Sequence, residues 1–102
     1  MNYSEKVEET VEYADLINKV QSLLDYISSE DEQLKNDREF AMKSNELIAY
    51  QMINNNIKQN YILISTLSAI RSDIESMHDE IRMDIKKEKN ALSRSDQTED
   101  NA

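Results

Sequence analysis

Apolar residues recur near the start of the chain at the spacing of an amphipathic helix. Alternate steps of four and three residues join Tyr13, Ile17, Val20, Leu24 and Ile27. Such steps are the heptad repeat of helices that pack side by side. Leu16 and Leu23 widen the apolar side, and Ser4 is a candidate N-cap ahead of several glutamates. The pattern predicts a helix over residues 4–27.

A second heptad pattern lies in the last third of the chain. Its members are Leu63, Leu67, Ile70, Ile74, Met77 and Ile81. They predict a helix over residues 57–91. We expect these six residues, together with Ile17, Val20, Leu24 and Ile27, to form the interaction seam of the protein.

The middle of the chain contains two candidate turns. Ser29 and Glu32 have the spacing of a capping box, which predicts a break near residues 28–30 and a helix over 30–53. The alternative is a continuous helix, since Leu34 follows Ile27 by one heptad. Asn54-Asn55-Asn56 is either a turn, because asparagine tolerates the left-handed conformation, or the middle of a helix.

The composition supports long helices. The 102 residues include no glycine, no proline and no cysteine, so the chain lacks the usual residues of sharp turns and helix ends. We therefore predict an all-α protein, either an elongated helical hairpin or a three-helix bundle with coiled-coil-like heptad packing. Residues 1–92 are predicted to form a single helical domain. Residues 93–102 contain no large apolar residue and are predicted to be a disordered C-terminal tail.

Charge narrows the choice of partners. The net charge of −9 disfavours direct binding to nucleic acid, whose phosphates require basic surface. No run approaches the roughly 18 apolar residues of a membrane span, and the acidic N-terminal segment does not read as a Sec-type signal. We expect a cytoplasmic protein that does not bind a membrane, with non-Sec secretion left open.

The sequence offers little catalytic chemistry. His78 is the single histidine, and Glu75 lies three residues before it, as in the Glu-x-x-His ligand pair of di-iron helical bundles. That site also needs inward-facing glutamates on two further helices, whereas the inward positions of the first helix are apolar. A histidine at the edge of the seam is the simpler interpretation. We therefore predict no enzyme, no metal and no cofactor.

In size and all-helical character, the chain is similar to the small helical proteins of type VII secretion systems, including partners of LXG-type toxins. The Trp-x-Gly turn of the WXG family is absent, because the chain has neither residue. The Tyr-x-x-x-Asp/Glu export signal has one match, Tyr26 to Glu30, which lies far from the C-terminal tail. Secretion chaperones and phage or viral coiled-coil proteins fit this architecture equally well.

These observations favour a non-enzymatic subunit, an adaptor or chaperone-like partner, that binds another helical protein or itself. The resemblance gives a secretion-system protein as one alternative. An acidic regulator that binds a basic protein surface is another, because the net charge of −9 steers basic partners toward the chain.

Overall fold

The computed structural model describes the backbone of residues 2–100 and the side chains of residues 2–92. It contains two long helices, α1 (Tyr3–Lys43) and α2 (Leu47–Asp100), and the described residues include no strand. The two helices form a helical hairpin, which confirms the predicted all-α fold class. Of the two predicted architectures, the hairpin is therefore the correct one.

A reciprocal capping box starts α1. The side-chain Oδ1 of Asn2 accepts a hydrogen bond from the backbone N–H of Glu5 at 2.8 Å, and the backbone N–H of Asn2 donates to the Glu5 carboxylate at 3.2 Å. Two backbone donors that the first helical turn leaves free are satisfied in this way. Ser4 lies inside the helix, so the predicted cap was placed two residues too late.

The turn between the helices is built on Asn45, which has a φ of 55° in the left-handed region. The N–H of Glu46 donates to the carbonyl of Ala41 at 2.9 Å, and the N–H of Asn45 donates to the carbonyl of Met42 at 3.3 Å. These two bonds define a Schellman motif, with asparagine where glycine is the usual residue. The Glu46 carbonyl accepts a hydrogen bond from the N–H of Tyr50. Glu46 therefore both closes the Schellman motif and immediately precedes α2.

The predicted helix bounds are wrong at two places. Residues 28–30 lie inside α1, so the predicted helices 4–27 and 30–53 do not exist as separate elements. The inward positions continue through this segment as Ile27, Asp31 and Leu34, and burial favours continuous helix over the local cap. Asn54–Asn56 lie inside α2, where Asn54 accepts a hydrogen bond from Arg38 at 3.0 Å. The last helix therefore begins at Leu47 and not at residue 57.

The end of α2 bears on the predicted tail. The helix bounds extend to Asp100, past the predicted helix end at residue 91. The side chains of residues 93–100 and the whole of residues 101–102 lie outside the described residues. Disorder of the tail at 93–102 therefore stays a prediction.

Two compact units make up the chain. One consists of Met1–Asn18 with Ser72–Ala102, and the other is Lys19–Arg71. Each unit contains part of α1 and part of α2. In the second unit the side chain of Arg38 bonds Asn54, and that of Arg71 bonds Gln21. In the first unit Lys6 and Glu88 form an ion pair at 2.5 Å. In the second unit the earlier residue of α1 contacts the later residue of α2, which shows that the two helices run antiparallel there.

Within each helix, the inward-facing residues are separated by alternate steps of three and four residues. We call these residues the inner line of that helix. In α1 it comprises Ile17, Val20, Leu24, Ile27, Asp31, Leu34, Arg38 and Ala41, all buried or half-buried. In α2 it comprises Ile53, Ile57, Asn60, Ile64, Leu67, Arg71, Ile74, His78, Ile81 and Ile85. Leu24, Ile27, Ala41 and Ile74 are the buried apolar residues among those described, so the core is thin.

Candidate interaction surfaces

The structure divides the ten predicted seam residues into two groups. Seven of them lie on the inner line: Ile17, Val20, Leu24, Ile27, Leu67, Ile74 and Ile81. The other three, Leu63, Ile70 and Met77, remain 48%, 43% and 41% exposed. These three are one heptad apart on α2, and we call them the α2 stripe. Half of the predicted seam on α2 therefore stays accessible to a partner.

Polar residues occupy the inner line beside the α2 stripe. Arg71 and His78 are half-buried, each one position after an exposed apolar residue. The guanidinium of Arg71 donates a hydrogen bond to the side-chain carbonyl of Gln21. The sequence pattern placed Ile70 and Met77 in the seam because they are apolar. The structure instead half-buries Arg71 and His78, the polar residues that follow them. Leu67, Ile74 and Ile81 belong to both patterns, which is why the sequence did not distinguish them.

An open groove shows which side of the second unit carries Leu63, the first member of the α2 stripe. Its volume is about 290 Å³, and its walls are Tyr26, Ile27, Glu30, Leu34, Asn56, Gln59 and Asn60. Leu23 precedes Glu30 by one heptad, and Leu63 follows Asn56 by one heptad. Because residues one heptad apart share a face, Leu23 and Leu63 lie on the side that carries this groove. In the second unit Leu23 of α1 and Leu63 of α2 therefore lie on the same flank.

Exposed apolar side chains lie on both sides of the hairpin turn. Five large residues within one short segment are between 64% and 76% exposed: Phe40, Met42, Leu47, Ile48 and Met52. We call them the tip cluster. An open cavity of about 470 Å³ lies beside them, lined by Ala41, Met42, Asn45, Glu46, Leu47 and Tyr50.

Sequence reasoning missed the tip cluster. The sequence predicts a break at Ser28–Glu30, leaves Asn54–Asn56 open between a turn and a helix, and places residues 40–52 inside a helix over 30–53. The available signal was Ser44-Asn45, which Glu46 separates from Leu47-Ile48, since serine and asparagine at a helix end close to a new apolar run mark a boundary.

Asp31 is a buried carboxylate on the inner line. Its Oδ2 atom pairs with Lys35 Nζ at 3.0 Å, one helical turn later on α1. Its Oδ1 atom is buried and has no hydrogen-bond partner. An acidic residue in a packed stripe is unfavourable unless paired, and this one is only half satisfied.

Two polar contacts shift pKa values in the first unit. The hydrogen bond and ion pair to Glu88 raise the pKa of Lys6, because the carboxylate favours the ammonium form. The Tyr13 hydroxyl donates to Glu9 at 2.8 Å, and this bond raises the pKa of Tyr13. Both contacts favour the protonated side chain in the folded state.

Among the described residues, no three side chains of His, Asp or Glu come together as a metal site would need. Within the part of the chain that the structure describes, neither helix holds a stretch that is apolar and long enough to cross a bilayer. His78 is half-buried on the inner line of α2. Among the described residues, no third ligand side chain therefore joins Glu75 and His78 to form a metal site.

The chain was compared with protein-family models, curated proteins and solved structures, and none of them matches it.

Proposed function

We propose that the protein is a non-enzymatic helical subunit that binds another helical protein, or a second copy of itself, through apolar side chains that the hairpin leaves exposed. The observation that carries this proposal is the α2 stripe. Leu63, Ile70 and Met77 repeat at heptad spacing beside the inner line, yet each remains more than two-fifths exposed. A heptad row of apolar residues is the surface on which a further helix packs.

Thinness of the core supports the same proposal. Four apolar residues are buried among those described, whereas many large apolar side chains are exposed. Contiguous exposed apolar surface in a water-soluble helix marks sites of association. A partner helix on the α2 stripe would enlarge the core without rearranging the hairpin.

Acidic residues beside the α2 stripe support the acidic-regulator alternative. Asp73 and Glu80 are exposed and lie three residues after Ile70 and Met77, on the adjoining ridge of α2. Asp84 continues the stripe one heptad after Met77. A basic partner would be drawn to this row, and such attraction weakens as ionic strength rises.

The test compares two matched double variants in the cells that produce the protein. The Ile70→Ser/Met77→Ser variant removes two members of the α2 stripe. The Ile62→Ser/Met83→Ser control removes an isoleucine and a methionine that are 63% and 60% exposed elsewhere on α2. Partners retained by tagged wild type are identified by mass spectrometry, and both variants are first checked for helicity.

We expect the control to retain the same partner as wild type and the stripe variant to lose it. Equal retention by both variants would contradict the proposal. A partner that is released by high salt would favour the acidic regulator, whereas one that resists salt would favour apolar packing. Sedimentation of the purified chain tells whether the partner is a second copy.

A further inference from the structure

The tip cluster is separate in sequence from the α2 stripe and has a different electrostatic character. Residues 35–52 contain three basic side chains and three acidic ones: Lys35, Arg38, Lys43, Asp37, Glu39 and Glu46. Lys43 and Glu39 also pair at 3.4 Å. The segment is therefore neutral by count, whereas the chain as a whole carries −9. Two tips can therefore approach without net like-charge repulsion between them.

The shape of the tip provides both a projection and a recess. Ile48 is 76% exposed and projects beside the turn. The adjacent cavity of about 470 Å³ has the apolar side chains of Met42, Leu47 and Tyr50 among its walls. A surface that carries a knob and a hole side by side can fit a second copy of itself across a two-fold axis. Methionine adapts well to such contacts, because its side chain is unbranched and flexible.

We propose that the tip cluster is a homodimer contact, in which Ile48 of each copy packs into the tip cavity of the other. At roughly 150–200 Å² for a whole large apolar side chain, the five residues expose about 500–700 Å² per copy. Standard stable interfaces bury about 800 Å² per partner. This area is smaller than that of a standard interface, so the proposed dimer is weak. The contact does not include the α2 stripe, which stays free for a different partner.

The experiment is sedimentation equilibrium of the full chain over a hundredfold range of concentration. Ile48→Ser is compared with Ile62→Ser, since both positions are exposed isoleucines on α2 in the same unit. Met42→Ser adds a second position within the tip. Circular dichroism establishes that each variant keeps the helicity of wild type.

We expect a wild-type dimer that Ile48→Ser and Met42→Ser weaken about tenfold or more and that Ile62→Ser leaves unchanged. The dimer should also persist at high salt, because the tip carries no net charge. A wild type that stays monomeric at the highest concentration would overturn the inference. So would a dimer that Ile62→Ser weakens as much as Ile48→Ser does.

Two further outcomes would also overturn the inference, one by moving the dimer contact to the α2 stripe and one by giving the tip a different occupant. A dimer that is lost in Ile70→Ser/Met77→Ser but kept in Ile48→Ser would place the second copy on the α2 stripe, and the proposed function would survive. A monomer that floats with phosphatidylcholine vesicles, and loses this property in Ile48→Ser, would assign the tip to a lipid surface.

Discussion

Ile74 and Ile70 lie four residues apart on α2 and differ sharply in burial, at 5% and 43% exposed. Replacing isoleucine with alanine removes three carbon groups, each worth about 0.8 kcal/mol when fully buried. Ile74→Ala should therefore lower the free energy of unfolding by about 2.5–3 kcal/mol, including a small cavity term. Ile70→Ala should lower it by about 1–1.5 kcal/mol, because little more than half of the side chain is covered.

The comparison cancels most other effects. Both changes give α2 the same gain in helix propensity, so the difference of about 1–2 kcal/mol reports burial within the hairpin. Ile62→Ala, at a position 63% exposed, should change the free energy of unfolding by less than about 1 kcal/mol. The measurement is urea unfolding followed by far-ultraviolet circular dichroism, at one low protein concentration and at a tenfold higher one.

Equal losses for Ile74→Ala and Ile70→Ala at low concentration would refute the inner line of α2 described above. A loss for Ile70→Ala that grows with protein concentration would instead show that association buries the α2 stripe, since binding stabilises the folded state by mass action.

Other changes test the turn, the buried carboxylate and the polar contacts of the first unit. Asn45→Ala should lower the free energy of unfolding by about 1 kcal/mol, because a β-carbon is disfavoured in the left-handed region, whereas Asn45→Gly should preserve it in the same urea titration. Asp31→Leu should raise the free energy of unfolding by about 1–3 kcal/mol, which is seen as a higher urea midpoint. A lower midpoint would mean that the carboxylate is better satisfied than its contacts show. Lys6 and Tyr13 have pKa values raised above 10.5 and 10.0, so their stabilisation is present below those values and is lost as pH rises through the folded-state pKa. The urea midpoint of wild type should therefore fall above about pH 10, and a Lys6→Met/Tyr13→Phe variant should fall less steeply.

The sequence predicted the buried positions of α1 better than those of α2 for a physical reason. On α1 the heptad positions from Ile17 to Ile27 are themselves the most apolar positions, so pattern and burial coincide. On α2 the apolar surface is wider than the contact with α1. The structure turns Arg71 and His78 inward and leaves Ile70 and Met77 outside. Periodicity finds the width of an apolar face but not which edge of it a single neighbouring helix covers.

Turn prediction failed because local capping and turn signals in the sequence do not report which segments become buried. The capping spacing at Ser29 was outweighed by continued burial along α1. The three consecutive asparagines are accommodated inside α2. A single asparagine, Asn45, supplies the left-handed residue that the chain needs. Because the turn was misplaced, the tip cluster could not be predicted either, since its residues come together only when the chain reverses at this point.

The position of the turn also sets the order in which the hairpin gains contacts during folding. Three side-chain contacts between α1 and α2 join residues 16, 50 and 82 positions apart, namely Arg38 with Asn54, Gln21 with Arg71 and Lys6 with Glu88. If each formed alone, closing the longest loop would cost about 1.5 kcal/mol more chain entropy than closing the shortest. Loop entropy therefore favours forming the contacts near Asn45 first, and these contacts shorten the effective loop for those that follow. The same entropy favours a hairpin that closes from its turn toward its termini, so the asparagine that replaces glycine in the fold lies where closure is least costly.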